Sequence, residues 1–245
     1  MSRADKYLLD HGFFETRAKA QEAIEAGLVR VNGQPVRKAS QKIPAGAHVD
    51  AEAAHPYVSR AALKLVEALD VFGIDPAGRT CLDVGSSTGG FTQVLLERGA
   101  AKVYAVDVGR DQLHAKLRAD NRIVSMEAQD ARALSLQDFD PAPDLIVCDA
   151  SFISLLKVIP VPLSLAGDAA DFIGLIKPQF EVGRDGIGKG GLVKSAELAQ
   201  GAVEHVIAGL DGLEGFELSG GPVESPIKGG DGNQEYLIAA RKALN

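Results

Sequence analysis

From residue 80 onward, short apolar runs alternate with segments whose apolar residues recur every three or four positions. The runs predict strands at 80–84, 102–106, 122–125, 143–148 and 171–176, with two weaker ones at 214–223 and 234–240. Between them the period is helical: Phe91, Val94, Leu95 and Leu96 share one face, and residues 196–210 form a longer helix. Before the first strand, residues 58–72 place Ala62, Leu65, Val66 and Leu69 on one side of a helix. Parallel strands need crossover connections, so this alternation predicts an α/β unit with a mostly parallel seven-stranded sheet covered on both faces.

The first fifty residues follow another rhythm. Residues 4–9 predict a short helix closed by Gly12, and Thr16 caps a second one that buries Ala20, Ala23 and Ile24 and ends at Gly27. Residues 28–31 read as a strand, Asn32-Gly33 as a tight hairpin turn and residues 34–37 as its return. A further turn at 44–46 precedes Val49, and residues 51–57, with Pro56 and no period, read as a linker. The expected organisation is a small α+β domain at 1–50, a linker at 51–57 and the large domain at 58–245.

Composition narrows the class. No apolar run approaches membrane-spanning length, and the first residues lack the apolar centre of a signal peptide, so a cytoplasmic protein without a membrane partner is expected. Cys81 and Cys148 fall in predicted core strands and read as reduced. The five histidines form no ligand spacing with them, and no metal is expected. The net charge of −7 disfavours nucleic acid, but the charge is uneven. Residues 1–49 carry eight Lys/Arg against five Asp/Glu, and the remainder eighteen against twenty-eight. A small basic module on an acidic body suggests a dedicated polyanion-binding unit.

The first strand of the large domain breaks into Gly85-Ser86-Ser87-Thr88-Gly89-Gly90-Phe91, and about twenty residues on, the second ends near Asp107. Glycines admit a ligand close to the backbone, and a carboxylate at the next strand end accepts hydrogen bonds from ribose hydroxyls. The G-x-x-x-G-G spacing lacks the dinucleotide fingerprint. Two uses remain open: an S-adenosylmethionine site, which has no phosphate to cradle, and a G-x-S-x-G hydrolase elbow using Ser87 with Asp149 and His205. The second leaves His205 inside a helical pattern. Asp149 and Lys177 directly follow two apolar runs, where side chains of parallel sheets meet ligands. Lys64 sits on the preceding helix and Glu235 opens the last strand.

Two resemblances follow. Arg3, Asp5, Arg17-Ala18-x-Ala20, Ile24, Gly27-Leu28-Val29-x-Val31-Asn32-Gly33 and Lys38 resemble the S4 RNA-binding domain. The resemblance implies phosphate contacts by Arg3, Lys6, Arg17, Lys19, Arg37 and Lys38. Lys64, Asp149, Lys177 and Glu235, with residues 85–92, match the FtsJ-type ribose 2′-O-methyltransferases. Both together, with Tyr57-Val58-Ser59-Arg60, Asp149-Ala150-Ser151-Phe152-Ile153 and Gly232-Asn233-x-Glu235, resemble the TlyA family end to end. That family methylates the 2′-hydroxyl of cytidine in ribosomal RNA and often carries the label haemolysin.

The resemblance implies a Rossmann-like methyltransferase domain behind an S4-like domain, S-adenosylmethionine as cofactor, and ribosomal RNA or ribosomal subunits as partner. Asp83, Gly85, Ser86, Ser87, Gly89, Gly90 and Phe91 would line the cofactor site, with Asp107 on its ribose and Asp130 on its adenine. Asp130 equally reads as a cap of the following turn. Lys177 would be the base, its ammonium disfavoured by a neighbouring lysine. Lys64 would stabilise the oxyanion, and Asp149 and Glu235 would orient both. Arg60, Arg184 and Lys189 would meet RNA. In the stretch 178–193, Gly183-x-x-x-x-Gly188-Lys189 is nearly a P-loop, but Gly190 replaces its Ser or Thr, so a lid is expected instead. Short termini point to a large-subunit substrate. A non-catalytic RNA-binding or haemolysin-like protein is the other class considered. The intact Lys-Asp-Lys-Glu set argues against it, and no basic amphipathic helix supports membrane lysis.

Overall fold

The computed structural model describes residues 1–243, in two compact units, Met1–Pro56 and the chain from Tyr57 onward. The first unit runs β1 (Ser2–Arg3), α1 (Ala4–Asp10), α2 (Arg17–Glu25), β2 (Val29–Val31), β3 (Gln34–Pro35), β4 (Lys42–Ile43) and β5 (Val49–Ala51). The Thr16 hydroxyl accepts from the Lys19 amide at 3.2 Å, as a cap should. Asn32 and Gly33, at φ 50° and 76°, turn β2 into β3. On its other edge β2 pairs with β5, so Ala51, expected to open the linker, instead helps to close the small sheet. Leu8, Phe14, Ala20, Ile24, Val29 and Ile43 form the core. Asp5 is fully buried beside it and receives Arg3, Arg17 and Gln21. The Arg3 hydrogen bond, joined by these others, outweighs burial and holds the carboxyl far below its usual range.

The second unit runs α3 (Ala62–Phe72), β6 (Thr80–Val84), α4 (Gly90–Glu97), β7 (Lys102–Asp107), α5 (Ala115–Arg118), β8 (Ile123–Glu127), β9 (Leu145–Cys148), α6 (Leu155–Val158), α7 (Pro160–Ser164), β10 (Asp171–Ile176), α8 (Pro178–Glu181), α9 (Ala196–Leu210), β11 (Phe216–Glu224) and β12 (Tyr236–Lys242). Its seven-stranded sheet is ordered β11-β12-β10-β9-β6-β7-β8, and β12 is antiparallel to both its neighbours. Strand alternation sends Leu82, Val84, Ile146 and Phe172 into one core and Cys81, Leu145, Val147 and Ile173 into the other. Both cysteines are free and buried. The chain order reverses between β6 and β9, which opens a crevice at their carboxyl ends.

Several boundaries differ from expectation. The helix expected from residue 58 starts at Ala62, because Tyr57, Val58 and Ala61 reach the core from a turn and mimic helical period. Strand β11 starts at Phe216 rather than at 214, and it runs on through Gly220, Gly221 and Pro222 because register shifts on either side of Gly220 absorb residues that would break a regular ladder.

Asp83 alternates onto the α4 side and has no exposed surface. Its Oδ2 accepts from the Thr92 hydroxyl at 2.6 Å, while Oδ1 has no partner. Desolvation pushes the carboxyl up to about 7, against the Thr92 bond. An unfolded Asp loses its proton near pH ~4. Between there and neutrality the folded chain holds a proton the unfolded chain has lost, so stability falls as pH rises through that window and levels off above it. The Asp83 contribution is at most about 1.4 kcal/mol per pH unit. Asp83→Asn removes it: urea midpoints of parent and variant diverge from acid to neutral pH, the parent losing stability faster. Parallel curves would show an Asp83 ionised throughout.

Candidate active site

The crevice is built by close backbone approach. Gly85 sits at φ 81°, and a Cβ there would lie 2.9 Å from the Ala150 Cα, so β6 and β9 exit against one another only through glycine. The Gly85 and Ser86 amides donate to the Val106 carbonyl at 2.9 and 3.1 Å, tying the turn to β7. The Ser87 and Gly109 amides donate to the two Asp107 oxygens at 2.8 and 2.6 Å. Two backbone turns thus aim one carboxylate into the crevice.

A hollow of about 570 Å3 follows, lined by Gly85, Ser87, Asp107, Asp130, Asp149 and Ser151 among others. A smaller one of about 140 Å3, lined by Ser59, Ser86, Gly90 and Phe91, shares Gly85, Ser87, Asp149 and Ser151 with it. The size suits a small-molecule ligand, and a fixed acid over a glycine floor suits a nucleoside, so these residues fit S-adenosylmethionine. Two expected wall residues are placed elsewhere. Asp83 lies beneath the turn, bracing it through Thr92. Gly89 lines neither hollow; its φ of 95° and the Leu113 and Leu117 side chains packed over it require the missing Cβ. Asp130 serves two ends: it caps the turn at Ala131–Ala133, and it lines the hollow. Its pairing with Arg132 at 2.6 Å holds the carboxyl down at about 2.

At the same edge four ionic side chains converge. Asp149 and Lys177 follow β9 and β10. Because β12 runs backwards, its start lies opposite the end of β10, with Tyr236 beside Ile176, and this delivers Glu235. Lys64 comes from the buried side of α3. Its Nζ lies 2.6 Å from the Glu235 Oε2 and 3.5 Å from the Asp149 Oδ1. The Lys177 Nζ lies 2.7 Å from that same Asp149 Oδ1. Lys64, Lys177 and Glu235 are 7, 5 and 2 % exposed, so the charges are nearly dry and formally balanced, two against two. One carboxylate oxygen within reach of both ammonium groups offsets the lysine–lysine repulsion that the resemblance implied.

Ser151 was not among the expected site residues, although it stands two positions after Asp149; its Oγ is 2.9 Å from the Lys177 Nζ. Phe152 is also new, 91 % exposed and with its ring centroid 5.3 Å from that of Phe180. The two rings and Gln179 border a third hollow of about 530 Å3 that reaches Glu235. An aromatic beside a charged strand end was the signal available.

The hydrolase arrangement does not form among the described residues: His205 lies on α9 and lines neither hollow that holds Ser87. The far end of the stretch 178–193 is tied to Asn233. Asn233 accepts from the Val193 amide at 3.0 Å and donates to the Gly191 carbonyl at 2.9 Å. Arg184 and Lys189 on it are exposed, while Arg60 is half-buried and donates to the Lys228 carbonyl at 3.2 Å. In the first unit Lys6, Arg37 and Lys38 are exposed. Arg3 and Arg17 converge on Asp5, and Lys19 pairs with Glu15 at 3.4 Å. Among the described residues no acidic, His or Cys cluster is placed to hold a metal, and no helix is long and apolar enough to cross a membrane.

Comparison with known proteins gives two family matches: an FtsJ-like methyltransferase over residues 57–242 and an S4 domain over residues 2–49. The 16S/23S rRNA (cytidine-2′-O)-methyltransferase TlyA of Mycobacterium tuberculosis is 43 % identical over 98 % of this chain and 90 % of its own. Hemolysin A of Brachyspira hyodysenteriae is 42 % identical, over 96 % and 98 %. A solved Streptococcus thermophilus structure described as a hemolysin superposes with a TM-score of 0.77 at 40 % identity, covering 99 % of this chain and 88 % of the other.

Proposed function

Since the chain belongs to the FtsJ-like methyltransferase family, with an S4 domain in front, we propose that it methylates the 2′-hydroxyl of a cytidine in ribosomal RNA. The observation that carries this reading is the convergence of Lys64, Asp149, Lys177 and Glu235 at the rim of a nucleoside-sized hollow.

The cofactor, S-adenosylmethionine, supplies a methyl group already activated by a sulfonium, so the protein needs no metal to make an electrophile. A ribose hydroxyl barely ionises at neutral pH, and what remains for the protein is alignment and removal of a proton. Lys177 is the base. The Lys64 ammonium, anchored by Glu235, faces the charge that grows on the ribose oxygen. Asp149 holds both lysines in register. Asp107 holds the cofactor ribose, and Gly85, Ser86, Ser87, Gly90 and Phe91 surround the remainder. Exposed Phe152 offers a face on which an unstacked base rests, since an enzyme acting on one nucleotide has to take it out of the helix. Arg3, Lys6, Arg17, Lys19, Arg37 and Lys38 of the first unit, with Arg60, Arg184 and Lys189 of the second, contact RNA phosphates.

Mapping of 2′-O-methyl marks tests this. Ribosomal RNA from cells lacking the protein should be missing a methylcytidine that the purified protein and S-adenosylmethionine restore. Reading both subunit RNAs decides whether only the large one is modified. Identical marks with and without the protein overturn the reading.

A further inference from the structure

We propose that the Ser151 hydroxyl is the proton relay between the ribose 2′-oxygen and Lys177, an inference that rests on the methyltransferase reading above. The Lys177 Nζ is closed in: its side chain is 6 % exposed and three acceptors surround it. They are the Asp149 Oδ1 at 2.7 Å, the Asp149 carbonyl oxygen at 2.9 Å and the Ser151 Oγ at 2.9 Å. Two of the three thus belong to Asp149, whose side chain is only 13 % exposed. Ser151 is the exposed member.

Its place is singular. Ser151 lines the 570 Å3 hollow, the 140 Å3 hollow and the 530 Å3 hollow along Phe152, Phe180 and Glu235. Among the described residues no other lines all three. A nucleotide in the third hollow whose sugar reaches toward the first therefore meets the Ser151 Oγ before the Lys177 Nζ. A hydroxyl donates and accepts at once, and its hydrogen rotates freely, so it can take a proton on one side while giving one on the other.

The step balances. At rest Lys177 is the ion-paired ammonium, and it first releases one proton to solvent, which frees the lone pair on its Nζ. As the ribose oxygen bonds to the methyl carbon, the carbon–sulfur bond breaks and its electron pair stays on sulfur. The 2′-oxygen proton passes to the Ser151 Oγ, and the original Oγ proton passes to the lone pair on the Lys177 Nζ. Serine ends as it began, and lysine ends as an ammonium with three acceptors waiting.

The rival geometry has the ribose hydroxyl displace Ser151 and bond Lys177 directly. Single-turnover methylation of ribosomal subunits by Ser151→Ala and Ser151→Thr separates the two. A relay predicts that Ser151→Ala slows the methylation step by about 10²-fold, within the range of general acid–base catalysis. The S-adenosylmethionine affinity, measured by calorimetry, should change less than threefold, and Ser151→Thr should recover most of the rate. In mixed light and heavy water the parent rate should bend with two protons in flight, while the residual Ser151→Ala rate falls on a straight line. A Ser151→Ala rate within threefold of the parent, a straight line for the parent, or a tenfold loss of cofactor affinity overturns the relay. Lys177→Met keeps the two claims apart. If it is inactive while Ser151→Ala is fast, only the relay fails; if it is active, the base assignment itself fails.

Discussion

Lys177→Met should abolish methyl transfer while leaving S-adenosylmethionine binding intact. Methionine keeps the length and apolar stem of lysine, so the buried space beneath the crevice stays filled. What disappears is the nitrogen that takes up the ribose proton. Loss of a positioned base costs about 10²–10⁴-fold. The cofactor hollow is walled by Gly85, Ser87, Asp107 and Asp130, and Lys177 is not among its lining residues. Cofactor affinity by calorimetry should therefore hold within a few-fold, and the loss should fall on kcat rather than on KM. Lys177→Arg should also be inactive, since a guanidinium does not deprotonate in proteins. An Arg variant at parental rate would show that positive charge, not proton acceptance, is what this position supplies.

How much of this site could be read from sequence differs by residue. Asp149 and Lys177 were legible because each follows an apolar run that is buried as a strand, 145–148 and 171–176, and a polar residue placed there has only the crevice to face. Glu235 and Lys64 were not legible from local pattern. One immediately precedes an antiparallel strand whose start coincides with the other strands' ends, and one lies on the buried side of a helix, so only pairing and packing bring them in. The family resemblance supplied them instead. Asp83 shows the reverse case: a strand-end position in the sequence motif, yet turned by alternation under α4 and away from the crevice. A boundary failed where tertiary contact imitates local period, as at Val58. The small unit was readable to within a few residues because its Thr16 cap and Asn32-Gly33 turn are local devices.

Asp149→Asn should be the most destabilising change in the quartet as well as inactive. The carboxylate is the one group bonded to both lysines, at 2.7 and 3.5 Å, in a site whose lysine side chains are 6 and 8 % exposed. Its loss turns a balanced set into one carboxylate against two ammonium groups. Removing one partner of a buried ion pair costs about 3–5 kcal/mol, mostly through the charge left behind. Asparagine still offers an oxygen, and the Lys177 Nζ keeps the residue-149 carbonyl and Ser151, so the lower end, about 3 kcal/mol, applies. For a unit of this size that lowers Tm by roughly 6–12 °C. The double variant Asp149→Asn/Lys177→Met removes the stranded ammonium and leaves Lys64 against Glu235 at 2.6 Å. It should be more stable than Asp149→Asn alone and equally inactive, a coupling no pair of independent sites would give. Equal or lower stability of the double variant would mean that the two side chains do not share one electrostatic site, and the charge-balanced quartet would lose its footing.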